Sequence, residues 1–215
     1  MNIVVLAGGL STERDVSLNT GAMVSKALRS KGHNVIMLDV FMGYHEEEED
    51  ITDIFNHTEE ASADVAQIPG EAPDITQVKA MRKDQSACFF GPNVIKICQA
   101  ADSVFMALHG ENGENGKIQA AFDLFGIQYT GSRYLGSALA MDKGISKKMF
   151  EAAGIPTPHG IAMSKTQRHT PFSETGLTLP CVVKPCCGGS SIGVTIVRTA
   201  DEYEAALDEA FKYED

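Results

Sequence analysis

Short apolar runs that end at glycine or polar residues are the feature that most constrains this chain's fold. The first run, Asn2–Ala7, leads into Gly8 and Gly9; apolar residues then recur at helical spacing over residues 16–28, and a second run follows at 35–40. A short apolar run between turn residues is typical of a buried parallel strand. Strand, helix and strand in this order predict a β-α-β unit with a right-handed crossover.

The alternation of strands and helices continues along the chain. We expect a helix at residues 93–100, a strand at 103–108, a helix at 118–125 and a short strand at 127–130. The pattern changes near residues 131–136, after which we expect helices at 138–141 and 145–153, a strand at 159–163 and a final helix at 201–213. Strands at 179–184 and 194–198 flank a glycine–serine loop, which predicts a β-hairpin.

Composition excludes several classes of protein. The chain has 215 residues, of which 43% are hydrophobic and 22% charged, as in one or two soluble globular domains. A net charge of −11 argues against nucleic-acid binding. The longest apolar runs are too short to span a membrane, and we see no signal peptide at the start of the chain.

The five cysteines show no C-x-x-C spacing, and Cys186 and Cys187 are adjacent. Reduced thiols in a cytoplasmic protein are the simplest interpretation, and a zinc site is not expected. The adjacent pair is expected to pack with ordinary thiols. The alternative is that a bulky modification there would crowd a moving loop.

Negative charge is concentrated in residues 44–87, which hold twelve acidic and three basic side chains and so carry a net charge of −9. Few apolar residues recur periodically there, so we expect an insertion with a solvated surface. A calcium site is the alternative, although the segment lacks the alternating acids and central glycine of a calcium loop. The remaining chain is nearly balanced in charge and can host an anionic ligand.

Two polar loops follow the predicted parallel strands. Residues 8–17 read GGLSTERDVS and residues 109–116 read HGENGENG. Because the carboxyl ends of neighbouring parallel strands meet in one crevice, Glu13, His109 and Glu114 could share a site for a zwitterionic substrate. The structural alternatives are a strand-to-helix turn with Ser11 or Thr12 as N-cap, and a hydrated glycine-rich turn.

A third motif lies in the predicted hairpin, where Lys184 ends a strand and residues 186–193 read CCGGSSIG. Small residues let backbone N–H groups and hydroxyls approach phosphate oxygens, and the lysine adds a point charge. The alternative is a plain flexible hairpin.

Together these motifs resemble the D-alanine–D-alanine ligases of the ATP-grasp superfamily. The family patterns match here as follows: G-G-x-S-x-E-x-x-V-S at residues 8–17, H-G-x-x-G-E-D-G at 109–116 with Asn115 replacing the aspartate, Y-T-G-S at 129–132, A-x-x-x-D-K at 138–143, and K-P-x-x-x-G-S-S-x-G at 184–193. The resemblance implies an α/β fold. A Rossmann-like parallel-sheet domain at residues 1–131 would precede a central α+β ATP-grasp subdomain that begins at 132 and is incomplete at 215.

The resemblance also implies roles for individual residues. Glu13 would bind the ammonium of the first D-alanine and His109 would lie near its carboxylate, with Val16 and Glu114 also at the substrate. Lys143 and Lys184 would hold ATP phosphates. The loop closing over them would contribute Gly189, Ser190, Ser191 and Gly193. Ser190 would also lie near the reacting phosphoryl group and orient Glu13.

The resemblance implies that the family's magnesium ligands lie beyond residue 215, so we expect the chain to be an N-terminal fragment that is inactive alone. The expected activity is ATP- and Mg²⁺-dependent synthesis of D-alanyl-D-alanine, by a cytoplasmic homodimer. Two alternatives stay open: a related ligase that takes D-lactate or D-serine as acceptor, and a non-catalytic module that binds nucleotide or amino acid.

Overall fold

A computed structural model describes residues 1–44, 51–56, 73–189 and 191–213. The chain divides into two compact units, Met1–Ser137 and Ala138–Asp215. Its elements, in chain order, are β1 (Asn2–Ala7), α1 (Arg14–Arg29), β2 (Asn34–Asp39), a 3-10 helix (Ile51–Asn56), α2 (Ile75–Met81), α3 (Val94–Ala100), β3 (Ser103–Met106), α4 (Lys117–Phe125), α5 (Tyr134–Met141), α6 (Lys143–Ala152), β4 (Cys181–Val183), β5 (Thr195–Val197) and α7 (Tyr203–Ala210). Further 3-10 turns lie at Lys165–Gln167, Phe172–Glu174 and Ala200–Glu202.

The first unit is built on a parallel sheet in the order β2-β1-β3. In the central strand β1, Val4 and Leu6 pack into the core on one face of the sheet, and Val5 and Ala7 pack into the core on the other. Because both faces are covered, the strand is apolar at every position from Ile3 to Ala7 and not only at alternate ones. The predicted α/β class with a parallel sheet is confirmed.

The second unit contains the predicted antiparallel hairpin, in which Val182 of β4 pairs with Ile196 of β5. One side of this pair packs against α7 through a small cluster of buried residues, namely Val197, Tyr203, Ala206 and Leu207. Val182 and Ile196 point the other way and are about half exposed. Within the described ranges, no helix combines the length and apolar character needed to cross a bilayer.

Some local predictions were wrong. The described residues 159–163 form no strand, because β4 and β5 pair only with each other in that sheet and leave the segment without a ladder. The strand expected at 127–130 is reduced to a single parallel bridge between Val104 and Tyr129. In the acidic segment, α2 was missed; Asp74 caps it by accepting hydrogen bonds from the N–H groups of Thr76 and Gln77. Residues 45–50 and 57–72 of that segment lie outside the described ranges.

Candidate functional site

The loop after β1 is fixed by an arginine at the start of α1. Gly8 and Gly9 both have positive φ, and a Cβ on Gly8 would overlap the carboxylate of Asp39. The buried Arg14 donates a 2.7 Å hydrogen bond to the Gly9 carbonyl and forms an ion pair with Asp39. The other Asp39 oxygen accepts from the backbone N–H of Phe41 at 2.9 Å. This loop therefore needs glycine at position 8.

The two polar loops of the first unit meet, as their places at the ends of neighbouring strands predicted. The Ser11 hydroxyl donates a 2.7 Å hydrogen bond to the backbone carbonyl of His109. A Cβ on Gly110 would lie only 3.0 Å from Oε2 of Glu13 and 3.1 Å from Cβ of Ser11. The Glu13 carboxylate therefore lies directly against the His109–Gly110 backbone.

The second loop is closed on itself. The backbone N–H of Gly110 donates to Oε2 of Glu114 at 2.9 Å, and the N–H of Glu114 donates to the Gly110 carbonyl at 3.0 Å. Gln119 of α4 donates to the Gly113 carbonyl at 2.6 Å. Asn115, which stands where the family pattern has aspartate, accepts a 3.2 Å hydrogen bond from the N–H of Lys117.

The buried and half-buried polar side chains of α1 join these loops, and sequence reasoning missed them. Ser17 accepts a 2.9 Å hydrogen bond from the N–H of Gly8 and donates a 2.7 Å bond to the Ala107 carbonyl, so it links the ends of β1 and β3. Thr20 lies 3.0 Å from Nε2 of His109. With Arg14, these residues recur every three positions along α1, and that spacing was the available signal.

The structural alternative that named Ser11 or Thr12 as the N-cap of α1 was wrong, because the helix begins at Arg14. Glu13 occupies the N-cap position and makes no side-chain capping bond. Ser11 instead accepts from the N–H of Glu13 at 3.2 Å while donating across to the second loop. Val16 is half-buried in the first turn of α1.

In the second unit, Lys143 lies at the start of α6 against the loop that follows β4. Its ammonium donates to the carbonyls of Cys186 at 3.1 Å and Gly188 at 2.8 Å. The Cys186 thiol donates to Oδ1 of Asp142 at 3.1 Å and accepts from the N–H of Gly144 at 3.2 Å. Two hydrogen bonds lower the pKa of Asp142: the larger effect comes from the Ile145 N–H and the smaller one from the Cys186 thiol.

The other residues expected at the phosphates lie in or beside the same loop. Lys184 is exposed and forms no hydrogen bond or ion pair with the described residues. Gly189 and Ser191 are exposed, Gly193 packs under Pro185 and Tyr213, and Ser190 lies outside the described ranges. Two lysines in or beside a glycine-rich turn are a donor set that fits phosphate oxygens. No group of three or more His, Cys, Asp or Glu residues that could hold a metal occurs in the described part of the chain.

Comparison with known proteins agrees with these motifs. The model of the D-Ala-D-Ala ligase N-terminus matches residues 2–132, and that of the D-Ala-D-Ala ligase C-terminus matches residues 149–215. This chain belongs to the D-alanine–D-alanine ligase family. The first match includes both polar loops of the first unit and the second includes the loop after β4, whereas Lys143 lies between the matched segments.

Individual relatives agree with the family model. A D-alanine–D-alanine ligase of Lacticaseibacillus casei is 41% identical over 217 residues, with all of this chain aligned to 59% of that protein. Two solved structures are each 29% identical. The D-alanine–D-alanine ligase of Bacillus anthracis has a TM-score of 0.66 over 99% of this chain and 54% of its own, and the VanG D-Ala:D-Ser ligase of Enterococcus faecalis has 0.64 over 98% and 59%. The chain thus spans between half and two thirds of the length of these three relatives.

Proposed function

We propose that this chain forms part of an ATP-dependent ligase that joins two D-alanine molecules into D-alanyl-D-alanine for peptidoglycan, releasing ADP and phosphate. The observation that carries the proposal is the approach of the Glu13 carboxylate to the His109–Gly110 backbone, at the carboxyl ends of β1 and β3. An acidic side chain and an imidazole in one crevice suit the ammonium and carboxylate of an amino acid. The 41% identity to the Lacticaseibacillus casei ligase supports the reaction.

In this proposal the first unit binds the first amino acid. Glu13 pairs with its ammonium and His109 lies beside its carboxylate, while Val16 contributes to the wall of the site. Glu114 holds the second loop in shape through its hydrogen bond with the Gly110 N–H. Such preorganised groups contribute chiefly by positioning the reacting carboxylate.

The second unit holds the phosphates. Lys143 and Lys184 neutralise their charge, and the backbone of Gly189, Ser191 and Gly193 supplies N–H groups and conformational freedom; Ser190 is assigned to the same loop.

ATP supplies the phosphoryl group that activates the carboxylate as an acyl phosphate. The amine of the second D-alanine then attacks this acyl carbon, and phosphate leaves from the tetrahedral intermediate. Phosphoryl transfer depends mainly on positioning and charge neutralisation, which fits this donor set. Mg²⁺ would neutralise further charge on the phosphates in this reaction.

A second acceptor is the principal alternative. The similarity to the VanG D-Ala:D-Ser ligase, at 29% identity, equals that to the Bacillus anthracis structure. D-Serine could therefore replace the second D-alanine; D-lactate as acceptor and a non-catalytic binding module are the remaining alternatives. We also propose a cytoplasmic location, because ATP is the energy source, and a homodimer, because the family resemblance implies one. Gel filtration with light scattering tests the dimer.

Phosphate release from ATP and Mg²⁺ tests the proposal. It should be measured with D-alanine, L-alanine, D-serine and D-lactate, on this chain and on the chain extended to the length of its relatives. We expect release by the extended form with D-alanine and not with L-alanine. Lys184→Met should abolish it, whereas Lys31→Met, at an exposed lysine of the first unit, should not. Phosphate release from ATP that does not depend on any D-amino acid would contradict the proposed ligase activity.

A further inference from the structure

The Thr20 hydroxyl has two neighbours, and they constrain where its single hydrogen points. Its Oγ1 donates a 2.9 Å hydrogen bond to the carbonyl of Val16, four residues earlier in α1, and lies 3.0 Å from Nε2 of His109. A carbonyl can only accept, so the hydroxyl hydrogen is used there. With its hydrogen on the Val16 carbonyl, the threonine oxygen accepts toward the imidazole, and in this arrangement Nε2 carries the hydrogen.

The backbone around His109 is held by side chains of α1 and of the loop before it. The His109 carbonyl accepts from Ser11 at 2.7 Å, and the Ala107 carbonyl accepts from Ser17 at 2.7 Å. Both ends of this short stretch are therefore tied to the α1 side of the sheet. Among the described residues, Nδ1 of His109 has no hydrogen-bond partner.

We infer that Thr20 is a positioning residue that holds neutral His109 in the Nε2–H tautomer and leaves Nδ1 as the nitrogen that meets a ligand. Nδ1 of the neutral ring is an acceptor; to meet the proposed substrate carboxylate it must carry a hydrogen as well, which makes the ring an imidazolium. The tautomer is inferred from the two contacts of the Thr20 hydroxyl and does not depend on the identity of the ligand. Only the identity of the ligand, the amino-acid substrate, rests on the proposed function.

Nuclear magnetic resonance of the ¹⁵N-histidine-labelled chain at about pH 9, where free imidazole is neutral, tests the inference. His109→Gln assigns the signals. We expect a hydrogen on Nε2 of His109, with solvent exchange slowed by the Thr20 hydrogen bond. Thr20→Ser keeps the hydroxyl and should preserve this signal. Thr20→Val keeps the shape and should speed exchange about fivefold, which corresponds to about 1 kcal/mol.

A hydrogen on Nδ1 in the unmutated chain would overturn the inference, and this reading does not depend on any variant folding. Equal exchange in the unmutated chain and Thr20→Val, with matching backbone amide spectra, would also overturn it. Addition of D-alanine should then shift Nδ1 more than Nε2, because Nδ1 takes up a hydrogen when it meets the substrate carboxylate, and L-alanine should not. If the Nε2–H tautomer is present but D-alanine shifts neither nitrogen, the inference stands and the proposed substrate fails.

Discussion

Arg82 shows how far a single residue can depart from its sequence context. It is one of three basic residues in an acidic segment, which predicts a solvated side chain, yet it is 2% exposed. Its guanidinium donates to Asp84 at 2.6 Å and to the carbonyls of Cys88 at 2.5 Å and Phe90 at 3.3 Å, and lies 4.8 Å from the ring centroid of Phe41. Two of its partners are backbone carbonyls, which the sequence does not distinguish from any others.

Replacing Arg82 should therefore destabilise the first unit strongly. Arg82→Met keeps much of the volume but leaves the Cys88 and Phe90 carbonyls and the Asp84 carboxylate without their donor. We expect a loss of about 3 kcal/mol in the free energy of unfolding, measured by urea denaturation. Lys83→Met, at the exposed neighbour, should change it by less than about 0.5 kcal/mol. Similar small effects for both variants would show that the Arg82 network adds little.

Asn115 departs from the family pattern, and the structure predicts what restoring aspartate would do. Its side-chain oxygen accepts from the Lys117 N–H at the start of α4. Asn115→Asp keeps an acceptor there and adds a negative charge at the positive end of the helix dipole, so the free energy of unfolding should rise by about 0.5 kcal/mol. Asn115→Ala should lower it by about 1 kcal/mol. Thermal denaturation of the three forms checks both signs; destabilisation by aspartate would contradict the argument.

At the scale of elements, periodicity and turn residues were sufficient for the sheet and most helices. The apolar runs became β1, β2 and β3, and α1 differs from its prediction by two residues at its start and one at its end. Periodicity failed where an element depends on a distant partner: the segment 159–163 is apolar enough for a strand but has no ladder to join. In the site, topology predicted that the Glu13 and His109 loops meet. It did not indicate that Thr20 would contact the imidazole, because that contact depends on the rotation of α1.

Substitutions at two glycines within helices can distinguish the effect of packing from that of intrinsic helix propensity. A Cβ on Gly21 of α1 would lie 2.8 Å from Cβ of Ala7 in β1, whereas one on Gly136 of α5 would meet nothing closer than Ser132 at 4.0 Å. Gly21→Ala should therefore lower the free energy of unfolding by about 1–3 kcal/mol through overpacking. Gly136→Ala should raise it by up to about 1 kcal/mol through propensity. Urea denaturation measures both, and a stabilising Gly21→Ala would show that α1 can move away from the sheet.

At the scale of the whole molecule, the two units differ in how much apolar surface they bury. The first unit has an apolar cluster on each face of its sheet. Within the described residues, the second unit has one apolar cluster, which contains four buried side chains. Because hydrophobic stabilisation grows with the buried apolar area, the second unit should unfold at a lower denaturant concentration than the first. Each unit contains a cysteine that can report its own unfolding.

Pulsed alkylation across a urea series, read by peptide mass spectrometry, tests this order. Cys98 is 1% exposed in the first unit and burial raises its pKa to about 12, while burial also raises the pKa of the half-buried Cys181 in β4. Because the thiolate is the reactive form, both should be protected in the native chain, and the exposed Cys88 should react without urea. We expect Cys181 to become labelled at lower urea than Cys98. Labelling of both at one midpoint would show that the two units unfold as a single cooperative body despite their separate cores.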